Sequence, residues 1–247
     1  MKIKLKRQTG VTLKDLMMLV AMFCVVSYAL LEHTSISVPV VSLIKTPMMY
    51  LGAVCILCQF FYFAKRLKKK RYFYLFFILL LFCVLLFISA RMNERPKFGD
   101  PPLKDTIRLV LYLLELFMLM IWVAENEKSK MFLDFVFYYV LILTVITDLL
   151  LFTRIITFTS GRFETFLIGT KFSVSYAHIN LMTLWFVRNR GRFRSDKKAR
   201  RVLYWGMPIA LLTIIRVDCM SGVLGCLVLF ILFVIYQYLT IARGGVL

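Results

Sequence analysis

The chain has 247 residues, 61% of them hydrophobic, and a formal net charge of +19 at pH 7. An apolar share this far above the roughly half found in soluble domains excludes an ordinary globular fold. The Lys and Arg behind the charge sit in loops between long apolar runs, which excludes a nucleic-acid partner and points to membrane topology and anionic lipid.

The N-terminus reads KIKLKR before an apolar stretch ending near Leu31. No small-residue cleavage site follows, so the stretch reads as a retained signal-anchor. Seven further apolar runs follow. The expected architecture is all-α and polytopic, one transmembrane domain over residues 1–247 with about eight spans: 16–31, 47–64, 72–90, 109–124, 131–153, 166–187, 202–215 and 221–242. A helix needs ~20 residues to cross the hydrocarbon core. The 202–215 run is short and contains Pro208, so it is either a short span or a re-entrant segment. The stretch VPVVSLI (38–44) is expected on the membrane surface.

With eight spans, one side carries twenty-two Lys and Arg and the other nine, with Lys171 left inside a span. The rich side holds the N-terminus, the loops 65–71, 125–130 and 188–201, and Arg243. The positive-inside rule then places both termini in the cytoplasm of a multi-pass cell-membrane protein. There is no repeat at a fixed period and no second soluble domain. Six cysteines lie within or at the ends of apolar runs; Cys55 and Cys58 form a C-x-x-C in a wholly apolar setting, which reads as packing. No Cys/His group has zinc spacing, no P-loop, GxGxxG or GxSxG is present, and neither metal nor cofactor is expected.

An ionisable residue inside a span needs water or a partner. Lys171, Ser175 and His178 are spaced i, i+4, i+7 and share one helical face, which should point into the bundle. The topology puts Asp148, Arg154, Arg162, Lys171, Arg216 and Asp218 at one depth on the outer side. Cations exceed anions there, and such a cluster suits a phosphate or pyrophosphate. Internal pairing is the equal alternative: Asp148 with Arg154 or Lys171, and Arg216 with Asp218. Glu115, in mid-span, is expected to pair with Arg108 seven residues before it or with a neighbouring helix. Asp134 can snorkel to water.

The segments GTKFSVSYAHINLMTLWF (169–186) and IIRVDCMSGVLGCLVLFIL (214–232), with a basic loop between them, resemble the O-antigen ligase and polysaccharide polymerase superfamily. The likeness is strongest to the polymerases of Gram-positive capsule and exopolysaccharide systems. It is most specific over 169–178 and loose elsewhere from about residue 45 onward. The resemblance implies a metal-independent, all-helical membrane glycosyltransferase. It implies a lipid-linked glycan substrate on an undecaprenyl-diphosphate carrier, and other polysaccharide-assembly proteins as partners. On that reading Lys171 and Arg216 contact diphosphate, with Arg154 and Arg162 next, and His178 and Asp148 position them or the acceptor. Two departures stand out. The Ser-Arg-Thr/Gly-like turn of that superfamily reads Cys219-Met220-Ser221-Gly222 here, and its members are much longer, so a C-terminally truncated form is expected. Two rival readings remain: a transporter or flippase subunit for a lipid-linked glycan, whose charges line a path, and a non-catalytic membrane component docking through the basic loops 65–71 and 188–201.

Overall fold

The computed structural model describes residues 12–31, 34, 40–92, 102–153, 158–160, 163–190, 192–193 and 196–242. Among them are nine helices: α1 (Leu13–Leu31), α2 (Val40–Leu57), α3 (Phe60–Leu67), α4 (Lys70–Met92), α5 (Pro102–Glu125), α6 (Ser129–Thr153), α7 (Lys171–Asn189), α8 (Lys197–Arg216) and α9 (Met220–Ala242). The all-α expectation holds, with one small addition. Strands β1 (Phe158–Ser160) and β2 (Phe163–Thr165) form an antiparallel hairpin between α6 and α7, with Phe158 opposite Thr165.

Five helices, α1, α4, α5, α6 and α9, are long and apolar enough to cross a membrane, and there are six candidates if the bent pair α2–α3 is one span. The chain is thus a plausible multi-pass membrane protein. The expected spans 166–187 and 202–215 do form helices, α7 and α8, but these are more polar. Lys171, His178 and Asn180 interrupt α7, and four cations open α8. Pro208 lies inside α8, which runs on for twenty residues, so the segment is longer than its apolar stretch.

The sequence-based boundaries need one addition and one correction. The stretch expected on the membrane surface is, from Val40, the first turn of α2. The expected 47–64 span is broken: the axis turns by 67° between Leu57 and Phe60. The turn is tightened by the Gln59 amide bonding Ile56 O at 2.9 Å, and the buried Gln59 side chain reaches Lys14 O at 3.3 Å. Beyond it α3 is amphipathic. Phe63 is buried, Phe61 is 88% exposed, and Lys65 and Arg66 close the helix.

The chain divides into two compact units, the first comprising Met1–Ala29 and Ile44–Lys128, the second Leu30–Leu43 and Ser129–Leu247. In the first unit, α3, α4 and α5 pack on one another. Their shared end gathers charge. Glu125 accepts from Lys69 Nζ (2.6 Å), Arg66 Nη1 (2.7 Å) and the Tyr72 hydroxyl (2.9 Å). Lys128 pairs with Asp15 at 2.7 Å and lies 4.3 Å from the Trp122 ring centroid. A left-handed Glu127 (φ 54°) ends α5, and the Lys128 amide bonds back to Val123 O.

The second unit is an antiparallel bundle of α6–α9 around a core that includes Phe137, Val174, Leu203, Ala210, Ile214 and Cys226. Its two ends differ. At one, Arg188 pairs with Asp134 at 2.6 Å and donates to the Tyr138 hydroxyl, so Asp134 has a partner and is not merely snorkelling. There too Asp196 caps α8 by accepting from the Lys198 and Ala199 amides. At the other end, α6 and α8 finish while α7 and α9 begin.

Helices α7 and α9 touch through small residues, as membrane helices do. A Cβ at Gly222 would lie 2.6 Å from both Cβ and Oγ of Ser175, and one at Gly225 would lie 3.0 Å from Ile179 Cδ1.

Candidate functional site

The end of the second unit where α7 and α9 start holds most of the charged residues singled out in the sequence. The approach to α7 is a tight turn in which Phe166 and Gly169 exchange backbone hydrogen bonds (2.6 and 2.8 Å), with Gly169 at φ 105°. Thr170 takes the N-cap position in extended geometry, and Lys171 opens the helix. On the facing side α8 closes in a Schellman arrangement. The Cys219 amide bonds Ile214 O at 3.2 Å, the Asp218 amide bonds Ile215 O at 3.0 Å, and Asp218 takes the left-handed position, φ 53°. Asp tolerates that conformation better than most residues, although glycine is the usual choice.

These two features meet in one bond: Lys171 Nζ donates to the main-chain carbonyl of Asp218 at 3.0 Å. Lysine therefore spends one of its three N–H donors on a neutral dipole and keeps its charge uncompensated. Arg216, two residues before Asp218, is exposed, and among the described residues no carboxylate pairs with it or with Lys171. The expected internal pairs, Lys171 with Asp148 and Arg216 with Asp218, do not form. Arg154 and Arg162 lie outside the described residues.

The shared face of α7 turns inward as its spacing requires. Ser175 is fully buried and bonds back to Lys171 O at 2.9 Å; His178 is 3% exposed. His178 Nε2 lies 3.1 Å from Asp148 Oδ1, so Asp148 has histidine as a partner, and the expected pair with Lys171 does not form. His178 is seven residues along α7 from Lys171, about 10 Å at the helical rise. The site is thus layered, with Lys171 and Arg216 at the bundle end and the His178–Asp148 pair about two turns deeper. Among the described residues no group of three or more His, Cys, Asp or Glu is arranged to hold a metal.

One residue at this end was not singled out in the sequence. Cys219 is buried beside Ser221 Oγ (Sγ to Oγ 3.5 Å). Burial alone would raise its thiol, but hydrogen bonds with Ser175 and Ser221, the Gly222 amide and the charge of Lys171 outweigh it and hold the thiol below its ordinary range. Its neighbour in the chain, Met220, where the resemblance puts an arginine, offered no such signal. A consequence can be measured. Lys171→Ala should move the pH profile of Cys219 alkylation by N-ethylmaleimide to higher pH, because a cation favouring the thiolate is gone. An unmoved profile would mean the ammonium does not act on the thiol.

Chemically, the bundle end offers a lysine, an exposed arginine and the N-termini of α7 and α9, whose unsatisfied amides and dipoles favour an anion. No protein-family model matches the chain, and neither a curated protein nor a solved structure does.

Proposed function

We propose that the second unit binds the diphosphate of a lipid-linked glycan and that the chain is a polymerase or ligase of undecaprenyl-diphosphate-linked oligosaccharide repeats. It would act in capsule or exopolysaccharide assembly, at the outer face of the cell membrane with both termini cytoplasmic. The observation that carries this reading is the Lys171–Asp218 bond. It tethers an ammonium by a backbone carbonyl beside an exposed Arg216, leaving two cations with no carboxylate partner among the described residues where two helices begin. A departing pyrophosphate needs that kind of electrostatic support, and a positioned base or hydroxyl-orienting group completes the transfer. The His178–Asp148 pair is the candidate for the second role. The imidazole is held by a carboxylate, which sets its tautomer and its direction.

The test is reconstitution. The purified chain in vesicles, given an undecaprenyl-diphosphate-linked oligosaccharide, should yield glycans longer than those supplied. Glycan moved across the bilayer with its length unchanged would favour the transporter reading. Neither elongation nor transfer to an acceptor, with the protein shown to be folded, would sink the enzyme reading.

A further inference from the structure

The first unit holds an acidic side chain deep among its helices. Glu115, near the middle of α5, is 3% exposed, and neither of its carboxyl oxygens has a hydrogen-bond partner. Three helices close around it. A Cβ built on Gly52 of α2 would lie 3.1 Å from Glu115 Oε2, 3.3 Å from Cys24 Cβ and 3.6 Å from Val25 Cγ2, the last two on α1. The missing side chain at Gly52 is what leaves room for the carboxyl.

The expected pairing with Arg108 does not occur, since Arg108 Nη1 bonds Asp105 Oδ1 at 3.3 Å instead. The titratable groups around Glu115 are Cys24 of α1, with Cys55 of α2 beyond it, and Tyr112 of α5. Tyr112 packs on Tyr28 of α1 at 5.5 Å, and Lys45 of α2 sits 5.5 Å from the Tyr28 ring. No cation among the described residues reaches the carboxyl. A second buried group, the Ser27 hydroxyl, also lacks a partner and lies one turn from Cys24 on the same face of α1.

A bare carboxylate in hydrocarbon is far costlier than the acid, and ionisable groups kept inside spans are characteristic of proton and ion pathways. We propose that Glu115 is a proton-binding site, carried as the acid in a pocket floored by Gly52, and that its proton exchanges with water. Proton binding is a property of the first unit that the glycan chemistry of the second does not require.

Infrared difference spectra between the parent protein and Glu115→Gln in lipid vesicles at neutral pH test this. The expected result is a carboxylic-acid C=O band present in the parent, absent from the variant, and shifted on transfer to deuterium oxide. Carboxylate bands in its place would overturn the proposal, as would an acid band that never exchanges. Gly52→Ala serves as the second variant, because its new methyl should shift the same band without removing the acid. A band indifferent to both substitutions would belong to another residue and would equally overturn the assignment.

Discussion

On the proposed function, Lys171→Ala should lower glycan elongation by about 10²–10³-fold, the usual loss when one preorganised electrostatic contact to a developing charge is removed. The reason is the mode of attachment. The ammonium is positioned by the Asp218 carbonyl at 3.0 Å, which fixes its place without neutralising it, so two N–H donors and a whole charge remain for a diphosphate. Lys171→Arg keeps the charge but not the compact geometry and should fall between parent and alanine. Arg216→Ala should cost less, about tenfold, because an exposed cation is screened by water and salt. Initial rates of chain growth in vesicles measure both. Parent-like rates from both alanine variants would remove these residues from the reaction.

Gly222→Ala should destabilise the second unit by about 1–3 kcal/mol, the range for overpacking a close-packed contact. The new Cβ would stand 2.6 Å from Ser175 Cβ and 2.9 Å from Ile214 Cγ2, and the serine Cβ, fixed to its helix, has no rotamer that clears the way. Helices α7 and α9 must then separate. That separation also strains the Lys171–Asp218 bond, since Lys171 opens α7 and Asp218 leads into α9. Thermal unfolding in detergent should register the loss, and Ser175→Gly in the same chain should recover part of it. A double-mutant cycle with no coupling between positions 175 and 222 would contradict the packing described.

What could be read from the sequence follows from chain-local physics. Long apolar runs gave the all-α expectation, and the shared helical face of Lys171, Ser175 and His178 was enough to turn Ser175 and His178 inward. Contacts between distant residues were not legible. His178 is thirty residues from Asp148, and nothing local prefers that pair over Asp148 with Lys171. The rule that pairs neighbours on one helical face joined Glu115 to Arg108, yet Asp105, one turn away, is the shorter reach. The empty floor at Gly52 belongs to another helix altogether. Cys219 gave no signal of its own, because part of its polar surroundings comes from Ser175 and Lys171, both more than forty residues earlier. The break after Leu57 was hidden for a similar reason. The run MMYLGAVCILCQFFYF has neither proline nor a charge to mark it, and the turn is held by Gln59 reaching across to α1.

That break has a consequence for fit to the lipid. Helix α2 has 18 residues, about 27 Å at 1.5 Å per residue, and the hydrocarbon layer is ~30 Å thick. Because α3 veers away by 67°, its eight residues add only about 5 Å along the α2 axis. As a crossing segment α2 alone is therefore a few ångströms shorter than the layer, a mismatch that short spans relieve by thinning of the leaflet, by snorkelling flanking side chains or by association rather than by tilt. The exposed rings of Phe60 and Phe61 and the cations that follow them are the kinds of side chain that can make such an adjustment at the lipid–water boundary.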